Sequence, residues 1–277
     1  MDRHGLGGGP ARSANQPKTT MTRSLIIIPA RMQASRLPGK PLVEIGGEPM
    51  IVHVWRRAVA ANAGDVFVAT DDQAIADAVR AAGGQAIMTR ADHPSGSDRV
   101  YEAACQVGGD DPTDIIVNIQ GDLPTLDPAL VRACVAPLEH PEIDIATLAA
   151  EIDDAGEVID PHVVKVVATP AGDGATLRAL YFTRAAAPAG YGPFLHHIGM
   201  YAYRREALAR FVSLPTSTLE KRERLEQLRA LEAGMKFGVR VVDSVPLGVD
   251  TPADLDRARA IFAAQQTAAH APVGAQG

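Results

Sequence analysis

Apolar residues in the first half of the chain form short runs, separated by segments whose patterning favours helices. Ser24–Ala30, SLIIIPA, is a continuous β-branched apolar run, which is typical of a central strand buried on both faces. Three further runs are predicted as strands: Asp65–Thr70, Gln85–Thr89 and Asp114–Gln120. The segments between them are predicted as helices: Pro49–Ala61, Asp72–Ala82 and Ser97–Val107. Strand and helix in this order predict an α/β fold with a mostly parallel sheet and helices on both faces.

The second half of the chain is less regular. Strands are predicted near Ile143–Ala149, Val163–Ala168, Gly199–Tyr203 and Phe237–Asp243, and helices over Thr218–Ala233 and Pro252–Phe262. A mixed second half of this kind often adds an antiparallel strand, so we expect a Rossmann-like mixed sheet. We expect one domain over residues 23–264, a disordered Gly-, Pro- and polar-rich extension over 1–22, and a frayed tail over 265–277.

Composition excludes several classes of function. The net charge of −6 does not favour a general nucleic-acid binder. No apolar run approaches the roughly 20 residues that span a membrane, and the N-terminus lacks the apolar segment of a secretory signal. We therefore expect a cytoplasmic protein, with Cys105 and Cys134 as buried thiols and not as a disulfide framework.

A cationic loop follows the first strand. Arg31, Arg36 and Lys40 place three positive charges within ten residues, and Gly39 allows the backbone to approach a ligand closely. Arginine can bind phosphate oxygens through two hydrogen bonds, and lysine acts as a compact point charge. The loop is either a binding site for a triphosphate or another polyanion, or a solvated basic surface loop.

Two carboxylates occupy comparable positions in distant parts of the chain. Asp122 follows the buried DIIVNIQ run, where it either faces the crevice and a magnesium ion or caps a turn beside Gly121. Asp250 precedes a helix that Thr251 would cap and Pro252 would begin, so it is either a second ligand or a helix-start carboxylate. Two carboxylates and a cationic loop together are the parts that phosphoryl transfer needs.

The segment IIIPARMQASRLPGKPL resembles the opening signature of the 3-deoxy-manno-octulosonate (Kdo) cytidylyltransferases. The resemblance covers roughly residues 24–262 and continues through ATDDQAIADAV, MTRADHPSGSDR, VNIQGDLP, VVKVV, YFTRAAAP, HHIGMYAYRR, LEKRERLEQLRALEAG and GVDTPADLDRAR. The opening motif is shared more loosely with other sugar nucleotidyltransferases, whereas its conjunction with HPSGSDR, HHIGMYAYR and LEQLR is far more specific.

The resemblance implies a nucleotide-diphospho-sugar transferase type of fold and an enzyme that couples CTP and Kdo to CMP-Kdo and pyrophosphate, for lipopolysaccharide synthesis. It implies Mg²⁺ bound by Asp122 and Asp250, and a catalytic set of Arg31, Lys40, Asp122 and Asp250. The CTP contacts that it implies are Pro29, Ala30, Arg31, Arg36, Lys40, Ser95, Gly96, Ser97 and Arg99. Here QGDLP replaces the usual QGDEP, which puts a metal role for position 123, now Leu123, in doubt.

For the sugar, the resemblance implies contacts from Gln120, Arg184, His197, Tyr201, Glu220 and Glu223. A guanidinium suits the Kdo carboxylate, while amide, imidazole and phenol groups suit hydroxyls. Alternatives remain open: His197 as a satisfied core histidine, Arg184 as a surface ion pair, and Glu226 in place of the other two glutamates. The 218–233 helix can also be only a charged face supported by i,i+4 pairs.

The resemblance further implies a homodimer formed through the second half of the chain, with CTP and Kdo as its small-molecule substrates. Two other functions fit the same motifs. One is a cytidylyltransferase for another acidic sugar, such as sialic acid or an amino-modified Kdo. The other is a non-catalytic nucleotide-binding protein on the same fold.

Overall fold

The computed structural model describes residues 24–33, 36–108, 115–172 and 174–270. The strands are β1 (Ser24–Ala30), β2 (Glu44–Ile45), β3 (Glu48–Pro49), β4 (Asp65–Thr70), β5 (Gln85–Met88), β6 (Ile115–Asn118), β7 (Ile145–Glu151), β8 (Lys165–Pro170), β9 (Thr176–Thr183), β10 (Leu195–Arg204) and β11 (Phe237–Val242). The α-helices are α1 (Met50–Ala60), α2 (Gln73–Ala81), α3 (Gly96–Gly108), α4 (Ala129–Val135), α5 (Ala155–Ile159), α6 (Arg205–Ser213), α7 (Thr218–Glu223), α8 (Leu228–Glu232) and α9 (Pro252–His270). Short 3-10 helices cover Lys40–Leu42 and Ala136–Glu139.

Four parallel strands form one half of the main sheet, in the order β5-β4-β1-β6. β1 pairs with β4 on one side (Ile27 opposite Phe67) and with β6 on the other (Ile26 opposite Val117). The chain thus adds strands outward from β1 in one direction and then returns to its other side at β6. Open α/β sheets bind their ligands at such a reversal, just beyond the carboxyl ends of the two strands.

The second half of the sheet continues as β10-β7-β11-β9-β8, and β10 runs antiparallel between β6 and β7. β11 is parallel to β7, whereas β9 is antiparallel to both β11 and β8. β10 also touches β8, with His196 opposite Lys165. The expected mixed sheet is confirmed.

The core lies on both faces of this sheet. Successive β1 side chains point in opposite directions, so Ile26 and Ile28 join one apolar cluster and Leu25 and Ile27 join the other. A third, smaller cluster packs the segment after the cationic loop against the start of α9; its buried members are Ile45, Met50, Val249, Leu255 and Ala258. This cluster brings residues 45–50 and 249–258, which are distant in the sequence, into contact.

Several sequence predictions need correction. The single helix over 218–233 is wrong: α7 ends at Glu223, Arg224 adopts a left-handed φ of 56°, and α8 begins at Leu228. The i,i+4 pairs expected along that helix are replaced by a longer-range ion pair between Glu220 and Arg229. Cys105 is exposed and only Cys134 is buried, so the prediction of two buried thiols is half wrong.

Other boundaries differ modestly. β9 was not predicted, and α9 continues to His270, past the predicted end at Phe262. The predicted disorder of residues 1–22 lies outside the described residues, as does the end of the tail after 270, so these boundaries stay predictions. Within the described part of the chain, no helix combines the length and the apolar character that crossing a bilayer requires.

Candidate active site

A cavity of about 350 Å³ opens at the carboxyl ends of β1 and β6. Its lining joins the cationic loop, the segment before α3, the residues after β6 and the residue before α9; it consists of Pro29, Ala30, Arg31, Gln33, Arg36, Leu37, Lys40, Pro41, His93, Ser95, Gly96, Arg99, Gln120, Gly121, Asp122 and Asp250. Segments from four distant parts of the chain therefore converge where the strand order reverses.

Lys40 connects the two predicted carboxylates. Its Nζ lies 2.8 Å from Oδ2 of Asp122 and 2.9 Å from Oδ1 of Asp250. Arg36 Nη2 donates to the other Asp250 oxygen at 3.1 Å. Burial opposes the charged form of Lys40, but the two carboxylates outweigh it and raise the pKa of Lys40 above its ordinary value. The ammonium group therefore remains charged.

Local structure holds these groups in place. Gly39 adopts a left-handed φ of 67° and turns the chain into the 3-10 helix that carries Lys40. On the other side, the Val249 amide donates to the Asp122 carbonyl at 2.9 Å, so the two carboxylate-bearing segments run side by side.

Asp250 is not the cap of α9. Asp254 N donates to Thr251 Oγ1 at 3.2 Å, so Thr251 caps this helix, as expected, and Pro252 begins it. The Asp254 carboxylate in turn accepts from the amides of Asp250 and Thr251. The backbone at Asp250 is thereby fixed, and its carboxylate is left to face Lys40.

The segment before α3 carries both a cap and a buried arginine. Ser95 Oγ accepts from the Asp98 amide at 3.3 Å and donates to the Asp98 carboxylate at 2.7 Å, so Ser95 caps α3. Arg99 is 4% exposed; its guanidinium donates to Thr89 Oγ1 at 2.5 Å and lies 3.2 Å from the Asp71 carboxylate. Arg99 therefore lines the cavity in a fixed orientation.

Of the predicted sugar contacts, the structure places only Gln120 in the lining of this cavity. Arg184 Nε donates to the Glu223 carbonyl at 2.9 Å and Arg184 Nη1 to the Pro161 carbonyl at 2.8 Å. The Glu223 carboxylate accepts from Thr183 Oγ1 at 2.8 Å and from the Arg184 amide at 2.9 Å. These side chains form a second polar cluster at the end of β9, held by internal contacts.

Glu220 is also engaged within the protein. It forms a capping box with Ser217, and Arg229 contacts both of its carboxylate oxygens, at 2.9 and 2.7 Å. Glu226 differs from both other glutamates: Ser97 Oγ donates to its Oε2 at 2.9 Å, whereas its buried Oε1 has no hydrogen-bond partner among the described residues and lies 4.0 Å from Arg229 Nη2. Glu226 thus links the segment after α7 to the first turn of α3, beside the cavity.

His197 and Tyr201 lie on β10, where His197 is opposite Ala149 of β7 and Tyr201 is opposite Asn118 of β6. The His197 side chain packs edge-on against Phe182, with ring centroids 4.8 Å apart, and its Nε2 lies 3.0 Å from Thr147 Oγ1. Burial lowers the pKa of His197 to about 3 and raises that of Tyr201. Both groups are therefore neutral at physiological pH.

Sequence reasoning missed several residues near the cavity. Gln33 and His93 line it, and Asp71 orients Arg99 from the end of β4. His93 Nε2 pairs with the Glu102 carboxylate, which anchors the segment before α3 to the helix itself. Asp71 belongs to the ATDD motif and directly follows β4, and His93 belongs to the HPSGSDR motif and precedes α3. These positions were the signal that could have placed both residues near the site.

The donor set of Asp122 and Asp250 fits magnesium. Among the described residues, no group of three or more His, Cys, Asp or Glu side chains converges as a self-sufficient metal cage. Mg²⁺ is usually held by one or two carboxylates together with water and substrate phosphates, and not by a cage built only of protein. Two oxygen donors beside a cationic cavity are consistent with that pattern.

Comparison with known proteins agrees with this geometry. The sequence profile of the cytidylyltransferase family matches residues 25–237. Relatives named 3-deoxy-manno-octulosonate cytidylyltransferase include those of Azorhizobium caulinodans, 66% identical over 239 residues (86% of this chain, 95% of that protein), and Xanthobacter autotrophicus, 63% identical over 247 residues (89% and 96%).

Solved structures give the same result. The structure of CMP:2-keto-3-deoxy-manno-octonic acid synthetase complexed with CTP aligns over 88% of this chain and 99% of its own, with a TM-score of 0.81 and 42% identity. A cytidylyltransferase from Leptospira borgpetersenii, 16% identical with a TM-score of 0.57 over 88% of this chain and 87% of its own, shares the fold. The chain thus has the fold of the nucleotide-diphospho-sugar transferases, and it belongs to the 3-deoxy-manno-octulosonate cytidylyltransferase family.

Proposed function

We propose that the chain transfers CMP from CTP to Kdo and releases pyrophosphate. The observation that carries this proposal is the convergence of Lys40, Asp122 and Asp250 in one cavity at the strand reversal, whose lining also contains three arginines. In the reaction, a sugar hydroxyl oxygen forms a bond to the α-phosphorus while the bond from that phosphorus to the leaving pyrophosphate breaks. Relatives that carry this activity in their names support the same assignment.

The triphosphate would lie along the cationic loop. Arg31 lines the cavity and has no hydrogen-bond or ion-pair partner within the described chain, so it can bind phosphate oxygens without losing an internal contact. Arg36 and Lys40 would add two further charges, and Lys40 would stabilise the negative charge that develops on the leaving pyrophosphate.

Asp122 and Asp250 would hold Mg²⁺ against the phosphates. When bound, this ion neutralises phosphate charge and lowers the pKa of the attacking hydroxyl. Backbone hydrogen bonds hold both aspartates in place: the Val249 amide donates to the Asp122 carbonyl, and the Asp250 amide donates to the Asp254 carboxylate. The two carboxylates would therefore meet the phosphates at a fixed position.

The base would lie between the end of β1 and the start of α3, in contact with Pro29, Ala30, Ser95, Gly96 and Arg99. Ser97 is 4% exposed and bonded to Glu226, so we place it behind the base and not against it. Orientation of Arg99 by Asp71 supports a fixed donor at this position.

The sugar would extend from Gln120 toward β10 and the segment after α7. We propose that Glu226 is the glutamate nearest to the sugar. The carboxylate of Glu220 is bound by Arg229, and that of Glu223 accepts hydrogen bonds from Thr183 and Arg184 at the end of β9. Arg184, His197 and Tyr201 remain predicted sugar contacts. Arg184 would need to exchange its two carbonyl partners for the Kdo carboxylate.

A pyrophosphate-release assay tests the proposal. Purified protein with CTP, Mg²⁺ and Kdo should release pyrophosphate, and omission of any one of the three should abolish the signal. No release above background with all three would refute the assignment. Pyrophosphate release with sialic acid or an amino-modified Kdo, but not with Kdo, would identify a different acidic acceptor. CTP binding measured by calorimetry, with no turnover on any of these sugars, would identify a non-catalytic nucleotide-binding protein.

We also propose a cytoplasmic homodimer that buries part of the second half of the chain. Large apolar side chains are exposed there at Ile159, Leu180 and Tyr191, which is where an interface would remove apolar surface from water. Sedimentation equilibrium should give twice the chain mass; the mass of one chain would contradict the proposal.

A further inference from the structure

Lys40 occupies the position between the two carboxylates that a metal ion needs. Its Nζ bonds one oxygen of Asp122 and one of Asp250, and its side chain is only 17% exposed. Arg36, 64% exposed, covers the second oxygen of Asp250 from the solvent side. Three of the contacts available to this carboxylate pair are thus made by side-chain cations.

The charges of this cluster also cancel. Lys40 and Arg36 carry two positive charges, and Asp122 and Asp250 carry two negative charges, so an approaching divalent cation meets a pair that is already neutralised. Opposite charges in direct contact at a partly buried site attract each other strongly, because water screens them only in part, so the ammonium group competes for the carboxylate oxygens. The same electrostatic competition acts on a metal ion.

We propose that Lys40 is a built-in counter-cation that keeps the Asp122–Asp250 pair closed to divalent metal ions until a triphosphate draws the lysine away. This inference rests on the proposed function, because it assumes a nucleotide that binds in this cavity. Arg31 provides the initial attraction, since it lines the same cavity and has no carboxylate partner within the described residues. Lysine has a flexible four-carbon stem, so its ammonium group can move to the phosphates while its backbone stays in place.

Two properties follow. Metal affinity in the absence of nucleotide is low because Lys40 competes for the same oxygens. Nucleotide and metal then bind with positive coupling, and the coupling is reciprocal, as thermodynamic linkage requires. The carboxylates are never left as an uncompensated pair, since one cation replaces another.

Binding of Mn²⁺ to nucleotide-free, full-length protein, followed by electron paramagnetic resonance of the free ion, tests the inference. Lys40→Met should bind Mn²⁺ at least about tenfold more tightly than the wild type. Lys40→Gln, a polar replacement of similar length, should do the same if Lys40→Met does not fold. Arg31→Met is the matched control: it removes one charge from the same cavity without touching either carboxylate, and its affinity should stay within about threefold of the wild type.

A double variant, Lys40→Met with Asp122→Asn, should lose the gain, which would show that the ion lies between the two carboxylates. Equal affinity of the wild type and both Lys40 variants would overturn the inference, and so would an equal gain in Arg31→Met. The measurement contains no nucleotide, sugar or turnover, so its failure leaves the proposed transfer intact. Conversely, suppose that Lys40→Met binds Mn²⁺ more tightly but the wild-type protein releases no pyrophosphate. That result would refute only the proposed transfer of CMP to Kdo.

Discussion

Gly121→Ala should damage both the fold and the site, because β1 and the residues after β6 approach each other more closely there than a methyl group allows. A Cβ placed on Gly121 lies 2.8 Å from the carbonyl oxygen of Pro29, and 3.6 Å from Cδ1 of Ile51. The nearest atom belongs to the backbone and cannot rotate away. The end of β6 must therefore move away from β1, and Asp122 moves with it.

The size of the effect follows from this geometry. Forced overpacking of a well-packed site costs about 1–3 kcal/mol. For a chain of this length, each kcal/mol lowers Tm by roughly 2–4 °C, so we expect a loss of about 4–8 °C for a cost near the middle of that range. A 1 Å misplacement of a catalytic group costs on the order of a hundredfold in rate, so a shift of a few tenths of an ångström should lower kcat several-fold.

Gly248→Ala is the matched control. Gly248 lies close to Asp250 in the sequence, as Gly121 lies close to Asp122. A Cβ added at Gly248 would meet only Leu123 Cδ2, at 4.0 Å, which is an ordinary contact. Thermal unfolding followed by circular dichroism and the pyrophosphate assay should show Gly248→Ala close to the wild type. A Gly121→Ala protein that melts within about 1 °C of the wild type and turns over at its rate would show that the close approach at Gly121 does not constrain the site.

Three further predictions concern single side chains. Asp122→Asn and Asp250→Asn should each lower turnover by about a hundredfold or more while the far-ultraviolet circular dichroism stays that of the wild type, since each removes a proposed metal ligand; wild-type turnover in either variant would remove that residue from the site. The folded pKa of His197, about 3, lies below its unfolded value, so the unfolded chain binds the extra proton between pH 6.5 and 3. Urea unfolding should therefore show stability falling by up to about 1.4 kcal/mol per pH unit below pH 6.5, with a shallower fall in His197→Gln; equal slopes would contradict this. Lys165→Met should lose about 2–3 kcal/mol in urea unfolding at pH 7, because the buried Lys165 Nζ donates to three carbonyls, those of Asp160, Val163 and Arg184; an unchanged midpoint would show that these carbonyls find other donors.

Much of the nucleotide half was predictable because its signals are local. Ser24–Ala30 is apolar at nearly every position, which few structures other than a buried parallel strand satisfy, and β1 has those bounds. Asp72 precedes its helix as an N-cap and Gly83 follows it with a φ of 87°, so α2 could be placed at both ends. Once the parallel strands were placed, the crevice at their carboxyl ends followed from topology.

The second half depends on contacts that no local pattern encodes. Arg224 breaks the 218–233 segment in a left-handed conformation although the sequence there has neither Gly nor Pro, and the adjoining Glu223 is bound by Thr183 and Arg184, forty residues earlier. β9 mixes arginine, alanine and aromatic residues without a clear alternation, so it gave no strand signal. Tertiary contacts, not propensity, decide both features.

The site itself divides in the same way. Each of Lys40, Asp122 and Asp250 could be picked out by type and position, but the lysine that joins them pairs with an aspartate 210 residues away. Their convergence was expected from the family resemblance. Residue types alone left two alternatives open for Asp250, a metal ligand or a helix-start carboxylate, and two for the basic loop, a polyanion site or a solvated surface.

β10 has a mechanical consequence for catalysis. This strand exchanges main-chain hydrogen bonds with β6 on one edge and β7 on the other, so the nucleotide half and the remaining half share one uninterrupted sheet. Rotation of one half against the other, as in hinged two-lobed enzymes, would break the ladder of hydrogen bonds that joins β10 to β6 and β7. The segments that line the cavity beyond the sheet edge, Arg36–Lys40 and His93–Gly96, lie outside that ladder, so they can adjust around substrates without breaking it. Conformational change on substrate binding is then expected in these segments, above a sheet that keeps its shape.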